Sequence, residues 1–161
     1  MLREKERTTQ KGKTRKESRR KKIEDSEPLI RGNNMGNLTK NFNREEYACK
    51  CGCGRDDIKD ELVNKIQQVR DILGKSIRIN SGIRCIRHNG NIGASETSSH
   101  VDGWAADLQT KGSAARYEML QAVMQVFDRV GIAKNFIHVD VDSTKTAGVV
   151  WTYDKKIYSG V

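Results

Sequence analysis

A chain of 161 residues is long enough for one domain with a sizeable core. Only 35% of it is hydrophobic and its formal charge is +9, and with no apolar run approaching a bilayer span a membrane-embedded protein is excluded. The N-terminus has charge but lacks an apolar segment behind it, so no secretory signal is read and a protein made in the cytoplasm is expected.

The positive charge sits at one end. Residues 1–22 hold 11 lysines and arginines against 3 glutamates, whereas the other 139 residues carry 19 basic and 18 acidic side chains. Such a segment cannot bury enough apolar surface to order itself, so residues 1–37 are expected to form a disordered basic tail. Clustered lysines and arginines attract phosphate backbones, but the tail has no aromatic residue on which a base could stack. A solvated charge run, or attraction to anionic polymers, accounts for it at least as well, and nucleic acid is not the expected partner. Met35, just ahead of the foldable part, is a second candidate start.

Next comes Cys49-Lys50-Cys51-Gly52-Cys53, a cysteine cluster tighter than the two to four residues usually left between paired zinc thiolates. Residues 57–73 place Ile58, Leu62, Val63, Ile66, Val69 and Ile72 on one stripe, predicting an amphipathic helix capped by Asp56 or Asp57 and ended by Gly74. A strand is expected near 76–80. Cys85 then follows, and three readings stand for the four cysteines: a structural tetrathiolate site, a disulfide from Cys85 to the cluster, or reduced thiols.

Strands are expected at 104–109, 136–141 and 148–153. Between them a second helix opens at Ser113 and carries Leu120, Val123, Met124, Phe127 and Val130 before Gly131 ends it. The architecture predicted is α+β: a small antiparallel sheet with helices packed on one face and a metal site on the other. No internal repeat is present.

The chemistry concentrates in two places. The run Ser98-Ser99-His100-Val101-Asp102-Gly103-Trp104-Ala105-Ala106-Asp107 and the later Ile137-His138-Val139-Asp140 supply two imidazoles and carboxylates. Zinc takes neutral nitrogen and anionic oxygen donors, and three protein ligands with an open position make a catalytic centre. A loop carrying His100 and a strand carrying Asp107 can converge on one ion, with Gly103, Ala105 and Ala106 letting the backbone pass close. In 136–141, His138 and Asp140 share one face of a strand while Ile137, Val139 and Val141 line the other.

At these residues the chain resembles the zinc peptidases that include D-alanyl-D-alanine carboxypeptidases and the L-alanyl-D-glutamate endopeptidases of phage endolysins. Ser98, His100, Gly103, Ala105, Asp107 and His138 fall into register with that family's S-x-H-x-x-G-x-A-x-D and later H-x-D pattern, and Asn80-Ser81-Gly82-Ile83-Arg84 matches the segment ahead of the first ligand. The resemblance runs from about Asn41 to Tyr153. It implies a hedgehog/DD-peptidase-like zinc peptidase domain over 38–161, with His100, Asp107 and His138 as Zn2+ ligands. It also gives Arg84 the role of binding a substrate carboxylate or the developing oxyanion. The implied activity is hydrolysis of peptidoglycan stem peptides by a monomer, reaching the wall after holin-type release.

One position departs from the family. Several members carry an acidic residue or a histidine two or three positions before the last ligand, where this chain has Phe136 and Asn135. Strand geometry offers Asp140 as general base instead, or as a partner that orients a ligand imidazole. Glu96 and His88 are the further candidates. If none serves, the alternative is a non-catalytic zinc or cysteine module that binds cell wall or nucleic acid.

Overall fold

A computed structural model describes residues 36–153. The tail expected over 1–37 therefore lies outside the described residues except for Gly36 and Asn37, whose amides donate to the Lys40 carbonyl and the Asn43 side chain.

Among the described residues, four helices and five strands follow: α1 (Arg44–Tyr47), α2 (Asp60–Leu73), β1 (Ile79–Ser81), α3 (Ile86–Asn91), β2 (Ala105–Gln109), α4 (Gly112–Val123), β3 (Arg129–Ile132), β4 (Phe136–Asp140) and β5 (Val149–Thr152). The strands form one sheet in the order β1-β2-β4-β3-β5. Its pairings are antiparallel except at one edge, where β5 runs parallel to β3. The fold is α+β as expected, and the sheet is mixed where an antiparallel one was predicted. A parallel neighbour needs a crossover, and β4 with the 141–148 segment supplies it.

Register sorts the two faces. Ala106 lies opposite Val139 and Leu108 opposite Ile137, while the alternate pairs are Ala105 with Asp140 and Asp107 with His138. Because side chains alternate along a strand, the first pairs face the helices and the second pairs face away. Leu62, Val63, Ile66 and Val69 of α2 and Met119, Ala122 and Val123 of α4 close over the apolar face, all buried. Each of the Leu, Val, Ile and Met side chains among them contributes roughly 1.5–3 kcal/mol. Among the described residues, no helix is long and apolar enough to cross a membrane.

Two helix predictions change at their ends. The 57–73 helix begins at Asp60 behind Lys59, because the Asp57 carboxylate is taken by Arg55 at 2.9 Å; Ile58 enters the core from the preceding loop, and Ile72 is exposed. The second helix starts at Gly112 and stops at Val123. Phe127 and Val130 still reach the core, but from the following loop and from β3, and Met124 is exposed. Gly131 is no helix terminator. It lies in β3, where a Cβ would fall 2.7 Å from the Trp151 ring and 2.8 Å from the Tyr153 ring, so only glycine leaves those aromatics room against the strand.

Candidate metal centre

The polar face of the sheet holds a triangle of donors. Asp107 is directly across from His138 on the paired strands β2 and β4, which brings Asp107 Oδ1 within 2.9 Å of His138 Nδ1. His100 arrives from the loop before β2, with Nε2 3.2 Å from Asp107 Oδ1 and 3.2 Å from His138 Nδ1. All three residues are buried. A tetrahedral ion with arms of about 2.0–2.1 Å to nitrogen and oxygen holds its donors roughly 3.3–3.4 Å apart, so the triangle is near metal-binding size.

Each imidazole is fixed from behind. His100 Nδ1 lies 2.6 Å from the Gly82 carbonyl, which can only accept, so Nδ1 carries the proton and neutral His100 turns a bare Nε2 toward the triangle. Burial lowers the His100 pKa, outweighing the pull of Asp107, and keeps the ring neutral. His138 Nε2 meets Asp140 Oδ2 at 3.2 Å, leaving Nδ1 to face Asp107. Burial also works against charge on His138, but the hydrogen bonds to Asp107 and Asp140 prevail and its pKa rises. Asp107 stays ionised well below the usual carboxylate range, since the two imidazoles overcome its own burial. These carboxylates draw positive charge to the triangle. A divalent ion supplies it while leaving both imidazoles neutral, and the donor set fits one.

The remaining predicted residues take different places. The Arg84 guanidinium is committed to the Asp107 carboxylate, with Nη2 donating to Asp107 Oδ2 at 2.7 Å and Nε to Ser81 Oγ at 2.9 Å. Asp140 is 1% exposed and lies behind the His138 ring, where Oδ1 accepts from Arg129 Nε at 2.7 Å and from the Asp142 amide at 3.2 Å. That geometry orients His138; the ring separates Asp140 from the triangle and disfavours it as base. Glu96 is exposed in the loop before His100. His88 is engaged elsewhere, its Nδ1 3.3 Å from Cys49 Sγ. Asn135 is exposed, and its carbonyl accepts from the Thr110 amide.

Three neighbours of the site are not read from the sequence. Arg129 pairs with Asp140, and Trp151 and Tyr153 stand with ring centroids 5.4 and 6.2 Å from that of His138. Tyr153 has its phenol pushed up to about 12, first by burial and then by the Asp107 charge, so it remains a hydrogen-bond donor at neutral pH. The two-residue spacing of Trp151 in β5 and Tyr153 just after it is a visible sign that both face the same way; nothing comparable pairs Arg129 with Asp140. A further clamp joins the His100 loop to the segment after β4, where Ser99 Oγ donates to Asp142 Oδ2 at 2.7 Å.

A family model described as Peptidase M15 matches residues 38–140, a span that includes all three donors of the triangle, Arg84, Asp140 and the four cysteines. No curated protein matches the chain.

Proposed function

The chain belongs to the peptidase M15 family and is thus a peptidase, and on that premise we propose that it holds zinc through His100, Asp107 and His138 and hydrolyses peptidoglycan stem peptides. The bond cut is a D-Ala-D-Ala carboxypeptidase bond or an L-Ala-D-Glu endopeptidase bond, in a lysin-like role. The observation that carries the proposal is the arrangement of His100 and His138, each backed by an acceptor and each turning its other nitrogen toward Asp107 Oδ1. Structural zinc sites are closed by four protein ligands, whereas three donors leave a place for water and substrate.

Zinc, when bound, supplies Lewis acidity that polarises a carbonyl and acidifies water toward neutral pH. The chain's residues supply the rest. Asp140, anchored by Arg129, holds the Nε2 proton of His138 and fixes the ring's direction. Arg84 fixes the Asp107 carboxylate through Oδ2 and leaves Oδ1 for the metal. Its cationic edge beside the triangle suits a substrate carboxylate or a developing oxyanion. Tyr153 adds a neutral donor on the same face, and with Trp151 it forms an apolar wall that thins the water around the site.

Incubating the zinc-loaded protein with purified peptidoglycan, beside a chelated control, and reading the soluble products by mass spectrometry tests this. Chelator-sensitive release of free D-alanine identifies the carboxypeptidase, and stem peptides freed at L-Ala-D-Glu identify the endopeptidase. Zinc bound but no product from several wall types would favour the non-catalytic module.

A further inference from the structure

The four cysteines take no part in the chemistry above, yet their sulfur atoms all lie within 4.8 Å of one another. Cys49 Sγ is 3.4 Å from Cys51 Sγ, and Cys51 Sγ is 3.6 Å from Cys85 Sγ. Four thiolates on a tetrahedral zinc, at Zn–S of about 2.3 Å, stand roughly 3.8 Å apart. A disulfide would instead draw two sulfurs to about 2.05 Å and leave the other two without a role. One sulfur, Cys51, is near-equidistant from two others, which suits a shared centre.

The chain is shaped for this convergence. In an extended strand, alternate side chains share a face but their Cα atoms lie about 6.6–6.8 Å apart along the chain, and a turn brings sulfurs together more readily. Gly52 and Gly54 break that spacing with φ of 75° and 79°, a left-handed conformation that other residues rarely adopt. The Gly52 amide turns back to the Cys49 carbonyl at 3.3 Å, and the Cys49 amide reaches the Arg55 carbonyl at 2.8 Å. The loop is thereby closed into a knuckle, which explains how a spacing of one residue between cysteines becomes workable.

Donors also point at the sulfurs. The Cys85 amide donates to Cys49 Sγ at 3.3 Å, the His88 amide to Cys85 Sγ at 3.4 Å, and His88 Nδ1 lies 3.3 Å from Cys49 Sγ. Hydrogen-bond donors around the ligand atoms are what an anionic thiolate centre requires.

We propose that Cys49, Cys51, Cys53 and Cys85 form a structural zinc site, separate from the triangle and independent of whether the triangle is catalytic. Binding converts four thiols to thiolates and releases four protons to solvent, giving a zinc tetrathiolate of charge −2. The site ties the segment after α1 to the start of α3, one residue beyond Arg84. It thereby braces the arginine that holds Asp107, alongside the Ile83 amide bonded to the Tyr47 carbonyl at 2.9 Å. His88 serves as a partner of the Cys49 sulfur.

The test uses the full chain purified with zinc and freed of excess, its metal content read by plasma mass spectrometry. Wild type is expected to hold two zinc ions, and His138→Ala and Cys53→Ser one each. The double variant should hold none. Cys53 is exposed, so its loss leaves the core intact, and circular dichroism checks this. Cobalt(II) loaded into His138→Ala should show thiolate-to-cobalt charge-transfer absorption in the near ultraviolet, and the double variant should not. Cobalt bands absent from His138→Ala, or a non-reduced mass short by two hydrogens per bond, would overturn the proposal. Failure of the triangle alone reads differently: His138→Ala would match wild type in zinc while the cobalt bands persist.

Discussion

Two clusters of metal-seeking side chains sit in one small domain and are built by opposite means. The triangle is made by a sheet: the Asp107–His138 pairing across β2 and β4 sets the donors before any ion arrives, and Gly82 and Asp140 fix the rings from behind. The cysteine cluster is made by loops, with two left-handed glycines bending the chain, and Cys51 and Cys53 are exposed. A preorganised buried centre with an open position suits catalysis, whereas a closed set of thiolates suits bracing. Damage at the triangle should therefore remove chemistry and leave the fold, while damage at the cysteines should loosen the fold around Arg84.

The sharpest way to break this division is His138→Ala. Peptidase activity is expected to fall to the level of the chelated control, with the cobalt-thiolate spectrum unchanged. Loss of that spectrum as well would overturn the separate thiolate site.

Asp140→Asn separates orientation from proton transfer. Its side-chain oxygen can still accept from His138 Nε2, but the charge is gone, so zinc affinity at the triangle should weaken by about 10–100-fold in a chelator competition. At saturating zinc the activity should return. A kcat that stays low there would reinstate Asp140 as the base.

Tyr153→Phe removes a donor without touching a ligand. A drop in kcat of about 100–1,000-fold with zinc content unchanged is expected from the loss of one oxyanion donor. An unaltered kcat would reduce Tyr153 to packing against Trp151.

Smaller effects probe the scaffold beside each cluster. The Tyr47 hydroxyl is buried without a hydrogen-bond partner, an arrangement that costs about 1–3 kcal/mol. Tyr47→Phe should thus raise stability by about 1 kcal/mol in urea unfolding. At the other end, the Asp142 carboxyl is held at about 2: burial pushes it up, but hydrogen bonds from Thr144 and Ser99 and the Lys145 charge outweigh that. An unfolded aspartate titrates near about 3.9, so Asp142 stabilises the fold above that pH and the contribution is lost as pH falls through about 2. Asp142→Asn should flatten the acid limb of the stability profile, measured by circular dichroism melts between pH 2 and 6.

The donors of the triangle were legible because the motif is local: His100 and Asp107 lie in one short run, and strand period puts His138 with Asp140 on the polar face of β4. The apolar stripe of α2 and the apolar face of β4, Ile137 and Val139, were readable for the same reason. Long-range partners were not. That Arg84 also holds the Asp107 carboxylate is visible only in the fold, where Nη2 lies 2.7 Å from Oδ2, and β3 stays hidden because Phe127 and Val130 continue the apolar spacing of α4 past its true end at Val123. Gly131 then mimics a helix terminator, although its reason for being glycine is the pair of aromatic rings laid against it. Tertiary contact overrides local pattern at each of these points.

The most direct measurement is a crystal structure of the zinc-loaded chain with anomalous data collected on both sides of the zinc absorption edge. The account predicts a zinc peak contacting His100 Nε2, His138 Nδ1 and Asp107 Oδ1, with Asp140 still behind the His138 ring. A triangle without a zinc peak, or zinc held through His100 Nδ1 or His138 Nε2, would contradict it.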